Sequence, residues 1–70
     1  MEFTVTVHHE RGAYWSEVAE LPGCFASGGT LEELHEALGE AVGLYVTDGP
    51  GVVGPEPLQV GQSRVTVAIP

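Results

Sequence analysis

Tyr14-Trp15-Ser16-Glu17-Val18-Ala19-Glu20-Leu21-Pro22-Gly23-Cys24 leads within a few residues to Gly29-Thr30-Leu31-Glu32-Glu33-Leu34, and together they read as a strand feeding a capped helix. In residues 14–21, Tyr14, Ser16 and Val18 point one way and Trp15, Glu17, Ala19 and Leu21 the other, following the two-residue period of a strand. Pro22 and Gly23 end it, because proline cannot donate to a ladder and glycine turns readily. Residues 24–27 suffice for a short third strand before Gly28 and Gly29. Thr30 then opens a helix. Its hydroxyl and the Glu33 carboxylate can satisfy each other's free backbone amides, and Glu32 and Glu33 sit where the helix dipole favours negative charge. Leu31, Leu34, Leu38, Ala41, Val42 and Tyr45 recur at three- and four-residue steps as one stripe, with Glu32, Glu33, Glu36 and Glu40 almost opposite. A fully buried stripe residue contributes ~1.5–3 kcal/mol, so this face must dock on the sheet. The helix is expected to end near Val46 and Thr47, stopped by Asp48-Gly49-Pro50.

Working outward, Phe3-Thr4-Val5-Thr6-Val7 alternates, placing Phe3, Val5 and Val7 on one face of a half-buried strand. Residues 8–13 hold charged side chains and Gly12, the ingredients of a hairpin connection. Residues 49–63, rich in glycine and proline, read as an irregular connection. Residues 64–69 alternate again, with Val65, Val67 and Ile69 inward. The expectation is one α+β domain over residues 1–70, ordered β-β-β-α-β. Its first three strands form an antiparallel meander, the helix covers one sheet face, and a crossover sets the last strand parallel to the first. The other sheet face is left for water or a partner.

Composition narrows the function. Ten acidic residues face two arginines and no lysine, for a net charge of −8 on 70 residues. That field repels phosphate backbones and attracts a basic protein, so direct nucleic-acid binding is not expected. So short a chain buries only ~60% of its unfolded surface, and domains of this size usually add disulfides, a metal or oligomerisation. Cys24 is the sole cysteine, which rules out an internal disulfide, and no cysteine/histidine spacing suits zinc. A homodimer or homotetramer is therefore expected, using the open sheet face or an edge strand. No leader-like start and no apolar run of ~20 residues is present, so a soluble cytoplasmic protein is the expectation, without membrane association.

With the elements placed, residues 14–24, then Gly29-Thr30-Leu31-Glu32-Glu33-Leu34, Glu40-Ala41 and Leu44-Tyr45, resemble the HicB family. Its members share an aromatic strand, a Leu-Pro-Gly-Cys turn, a Gly-x-Thr-x-Glu-Glu helix start and an aliphatic-tyrosine helix end. Coverage is nearly the whole chain, with the specific part in residues 14–46. Pro22, Gly23, Gly29, Thr30 and Glu33 are the structural motif residues on this reading. Ala19 stands where proline is frequent in the family, and Leu34 where alanine is usual. The resemblance implies a degraded ribonuclease-H-like domain that binds and neutralises a small basic HicA-type toxin, a double-stranded-RNA-binding-like protein that cleaves mRNA. Many members continue into a DNA-binding segment. The sequence stops after its last strand, so operator binding is not among the expectations. The alternative is an orphan HicB-like homo-oligomer, without a toxin partner and with an unknown ligand.

No catalytic residue, metal ligand or cofactor is assigned. Two-metal hydrolysis needs clustered carboxylates, and Glu17 is the one acid expected inside a core-length strand. His8-His9-Glu10 reads as a solvated turn, because adjacent histidines of an extended segment point to opposite faces. His35 falls at the edge of the stripe, and Cys24 reads as a small buried residue. Gly28-Gly29 is explained by turn geometry, since Glu32 and Glu33 already fill the electrostatic niche of an anion. Gly39 and Gly43 each cost a helix ~1 kcal/mol, and mark either close approach of another backbone or tolerated weak positions. If Tyr14, Ser16 and Val18 face the helix, Trp15 lies on the uncovered face, and with Glu17 beside it is read as a partner surface or as packing over the sheet edge within the monomer. Glu36 and Glu40 of the acidic helix face complete the set of candidate partner-binding residues.

Overall fold

The computed structural model describes residues 1–47, 49 and 51–68. Five strands and one helix follow in the order β1 (Glu2–Glu10), β2 (Ala13–Val18), β3 (Phe25–Gly28), α1 (Leu31–Thr47), β4 (Val52–Val53) and β5 (Gly61–Ala68). They form one sheet ordered β3-β2-β1-β5-β4, in which every neighbouring pair is antiparallel. Only Arg11 and Gly12, at φ 50° and 79°, separate β1 from β2. Positive φ at both positions gives the tight turn whose twist matches the strands. His8, His9 and Glu10 therefore belong to β1 and pair with Trp15, Tyr14 and Ala13, which corrects their reading as a solvated turn.

A second correction concerns the last strand. β5 runs antiparallel to β1, with Phe3 opposite Val65 and Val7 opposite Gly61, not parallel to it. The reason lies in residues expected to be irregular. α1 carries the chain from the Gly28 end of β3 to its Pro22 end, where the Tyr45 hydroxyl donates to Pro22 O at 2.8 Å. Val52–Val53 then travels back along the sheet as a fifth strand. That extra pass delivers the chain to the opposite end, and β5 has to enter reversed. Ile69, read as inward-facing, and Asp48 and Pro50, read as the helix stop, lie outside the described residues.

The alternation of β1 and β2 puts Phe3, Val5, Val7, Ser16 and Val18 beneath the helix, joined by Ala26, Val65 and Val67. From α1, Leu34, Leu38 and Val42 are completely buried, and Leu31 and Ala41 pack at the margin. Tyr45 extends beyond this core and is half exposed. Val53 and Leu58 of the supposedly irregular segment fill the remaining side. Gly39 lets this happen. A Cβ there would stand 2.7 Å from Gly51 O, and Gly51 N–H donates to Gly39 O. Close backbone approach is thus the reading that holds at Gly39.

Candidate functional site: the open sheet face

Residues of β1, β2, β3 and β5 that alternate away from the helix build a second face. The register sets Trp15 between His8 and Ser27, Glu17 between Thr6 and Phe25, and Thr4 opposite Arg64. Trp15 is partly buried. Its ring stacks on His8 with centroids 4.0 Å apart and 17° between planes, and His8 Nε2 lies 3.4 Å from Glu17 Oε1. His9 makes the matching stack on Tyr14 from the other face, so the two histidines diverge as adjacent strand residues must.

Toward the start of β1, the Glu20 carboxylate accepts from Thr4 N at 2.7 Å and from Thr4 Oγ1 at 2.8 Å. These bonds, chiefly the backbone one, hold its carboxyl below the ordinary value, with Arg64 assisting at 3.7 Å. Arg64 also donates to Glu2 at 3.2 Å and to Thr4 Oγ1 at 3.1 Å. Arg64 is thus committed to neighbouring groups. Phe25 stands 59% exposed at the rim of the face.

The structure divides the four candidate partner-binding residues between two surfaces. Trp15 and Glu17 share the open sheet face. Glu36 and Glu40 are exposed on α1, beyond the other side of the sheet, where they line a shallow depression with His35 and residues of β4. The motif residues shape the route between them. Gly23 takes φ 86° in a turn closed by Cys24 N–H donating to Leu21 O, with Pro22 beside it. Thr30 Oγ1 accepts from Glu33 N at 3.1 Å, capping α1. A Cβ on Gly29 would stand 3.0 Å from Glu33 Oε1.

Sequence reasoning placed Trp15 and Glu17 but missed Phe25, Glu20 and Arg64. Phe25 was discoverable, since it is flanked by the small residues Cys24 and Ala26 that alternate inward. The Glu20–Thr4–Arg64 cluster required knowing that β5 adjoins β1. Glu2 and Glu10 also lie within β1, so Glu17 is not the one acid in a core-length strand. Among the described residues no group of three or more His, Cys, Asp or Glu is placed to hold a metal ion. Burial pushes the Cys24 thiol up, which disfavours the thiolate a nucleophile needs. His35 Nε2 meets Gly54 O at 2.8 Å and ties α1 to the segment after β4. Among the described residues no helix is long and apolar enough to cross a membrane.

No protein-family model matches the chain. No solved structure matches it significantly. Among curated proteins it is similar to Antitoxin HicB of Pseudomonas fluorescens (strain Pf0-1), at 39% identity over 51 residues. The match covers 67% of this chain and 35% of that protein, so the chain spans about a third of the length of its relative.

Proposed function

The chain belongs to the HicB-like antitoxin family, and on that premise we propose that it is a non-catalytic binding module that captures and neutralises a small basic HicA-type toxin. The observation that carries this reading is the similarity to an antitoxin over two thirds of the chain. The open sheet face supports it. Trp15 offers a large aromatic surface held in place by His8, Glu17 supplies a carboxylate beside it, and a rigid aromatic near a charge suits an interface hot spot. Glu36 and Glu40 contribute to the acidic field that draws a basic partner in, and they act on encounter more than on the final contact. The module self-associates, acts in the cytoplasm and does not bind nucleic acid itself, since a net charge of −8 opposes phosphate.

Co-expression with a small basic HicA-type protein tests the reading. The expected result is a complex that survives purification at low salt and has lost RNA cleavage. Trp15→Ala should weaken it by about 30-fold, a loss of ~2 kcal/mol typical of a hot spot. A complex of undiminished affinity in that variant removes the open face from the interface. Failure to retain any such partner overturns the antitoxin role.

A further inference from the structure

The carboxylates of the open face are provided for unequally. Glu2 and Glu20 share the Arg64 guanidinium, at 3.2 Å and 3.7 Å. Glu17 is left without an arginine. Among the described residues its one neighbour at ion-pair distance is His8 Nε2, 3.4 Å from Oε1, and no hydrogen bond reaches Oε2. Arg11, the chain's other arginine, stands in the β1–β2 turn, at the opposite end of β2.

Glu17 lines a depression of about 140 Å³ together with Thr6, Pro22, Gly23 and Phe25. The register sets Phe25 directly opposite Glu17, which brings their Cβ atoms to ~4.5–5.5 Å. Gly23 keeps the turn side open, since a Cβ there would meet nothing within 4 Å. The turn that follows β2 is thus also a wall of the depression. Clefts for drug-sized ligands start at ~300 Å³, so a space of this size takes one side chain rather than a small molecule or a peptide segment.

The geometry points to this depression as a socket for one arginine side chain of the basic partner, with the guanidinium on Glu17 and against the Phe25 ring. The inference rests on the antitoxin reading above and names the residue type that the open face selects. A carboxylate alone accepts either basic side chain. An aromatic ring beside it favours arginine, whose planar guanidinium bonds a carboxylate through two parallel N–H groups and stacks on a ring. The lysine ammonium is a strongly hydrated point charge and gains less from both. His8 takes one of the roughly four acceptor positions of the Glu17 carboxylate, which leaves room for the arginine fork. Glu36 and Glu40 line their own depression with glycine, valine and His35, a lining that attracts either cation. Selection between arginine and lysine therefore belongs to Glu17 and Phe25.

Binding of a short oligoarginine peptide and of an oligolysine peptide of equal charge to the full chain, followed by NMR, provides the test. Oligoarginine should bind several-fold tighter and shift the amides of residues 17 and 23–25 most. Glu17→Gln should weaken it by about fivefold more than Glu36→Gln, which removes the same charge outside the socket. Phe25→Leu keeps the apolar bulk and removes the π face, so arginine should lose about threefold and lysine nothing. None of the three positions is buried, and an unchanged circular-dichroism spectrum verifies each fold. Equal affinity for the two peptides, or equal losses in Glu17→Gln and Glu36→Gln, overturns the socket. An arginine preference that Glu17→Gln abolishes, in a chain that retains no HicA-type partner on co-expression, keeps the socket and overturns the antitoxin reading alone.

Discussion

Ser16 is completely buried, opposite Val7 on one side and Ala26 on the other, and its hydroxyl has no hydrogen-bond partner among the described residues. An orphaned buried polar group costs ~1–3 kcal/mol. Ser16→Ala removes it and leaves a side chain only slightly smaller, so the variant should be more stable by about 1 kcal/mol. Urea denaturation checks this, and a loss of stability would mean the hydroxyl has a partner in solution. Alternation along residues 14–18 was enough to set Ser16 on the face opposite Trp15, and the fold turns that face to the helix. It could not tell whether the hydroxyl would find an acceptor, because that depends on Val7 and Ala26, which the fold brings alongside. The same limit applies to Trp15. Its face was legible from its own strand, and its stacking partner His8 was not, because the hairpin register fixes that pairing.

α1 was the most legible element, since its cap, acidic first turn and leucine stripe all speak locally. β4 was the least. Two residues carry no period to detect, and Val52–Val53 is held by its neighbours more than by its own preference. Missing it reversed the direction assigned to β5, although the alternation of Val65 and Val67 had been read correctly. The clue to β4 lay in α1 itself, at Gly39. Gly39→Ala would gain ~1 kcal/mol of helix propensity. The new methyl, however, would press on Gly51 O at 2.7 Å and Val53 N at 3.1 Å, and overpacking of this kind costs ~1–3 kcal/mol. Backbone cannot rotate aside as a flexible side chain can. The expected result is a net loss of about 1 kcal/mol with a lower thermal midpoint, and a rise in the midpoint would show that β4 can shift without cost.

Charge decides how the whole molecule meets others. Two copies at −8 repel each other, whereas a basic partner is attracted, and both effects weaken as the screening length falls from ~10 Å at 0.1 M salt to ~3 Å at 1 M. Added salt should therefore strengthen self-association and weaken toxin capture. Sedimentation and binding measured across one salt series distinguish the two associations, and parallel trends would contradict the opposite roles assigned to charge in them. Net charge was plain in the sequence, and so was its division between Glu17 on the sheet and Glu36 and Glu40 on the helix, while the depression that the latter two line with β4 emerged only with the fold. One further consequence concerns the order of assembly. β1 occupies the centre of the sheet, between β2, which follows it immediately, and β5, the last described element. During synthesis the hairpin and helix can form early, yet one side of β1 waits for residues 61–68 to leave the ribosome. Throughout that interval Thr4 and Thr6 have no neighbour on the β5 side, and the nascent chain carries an open seam through its middle.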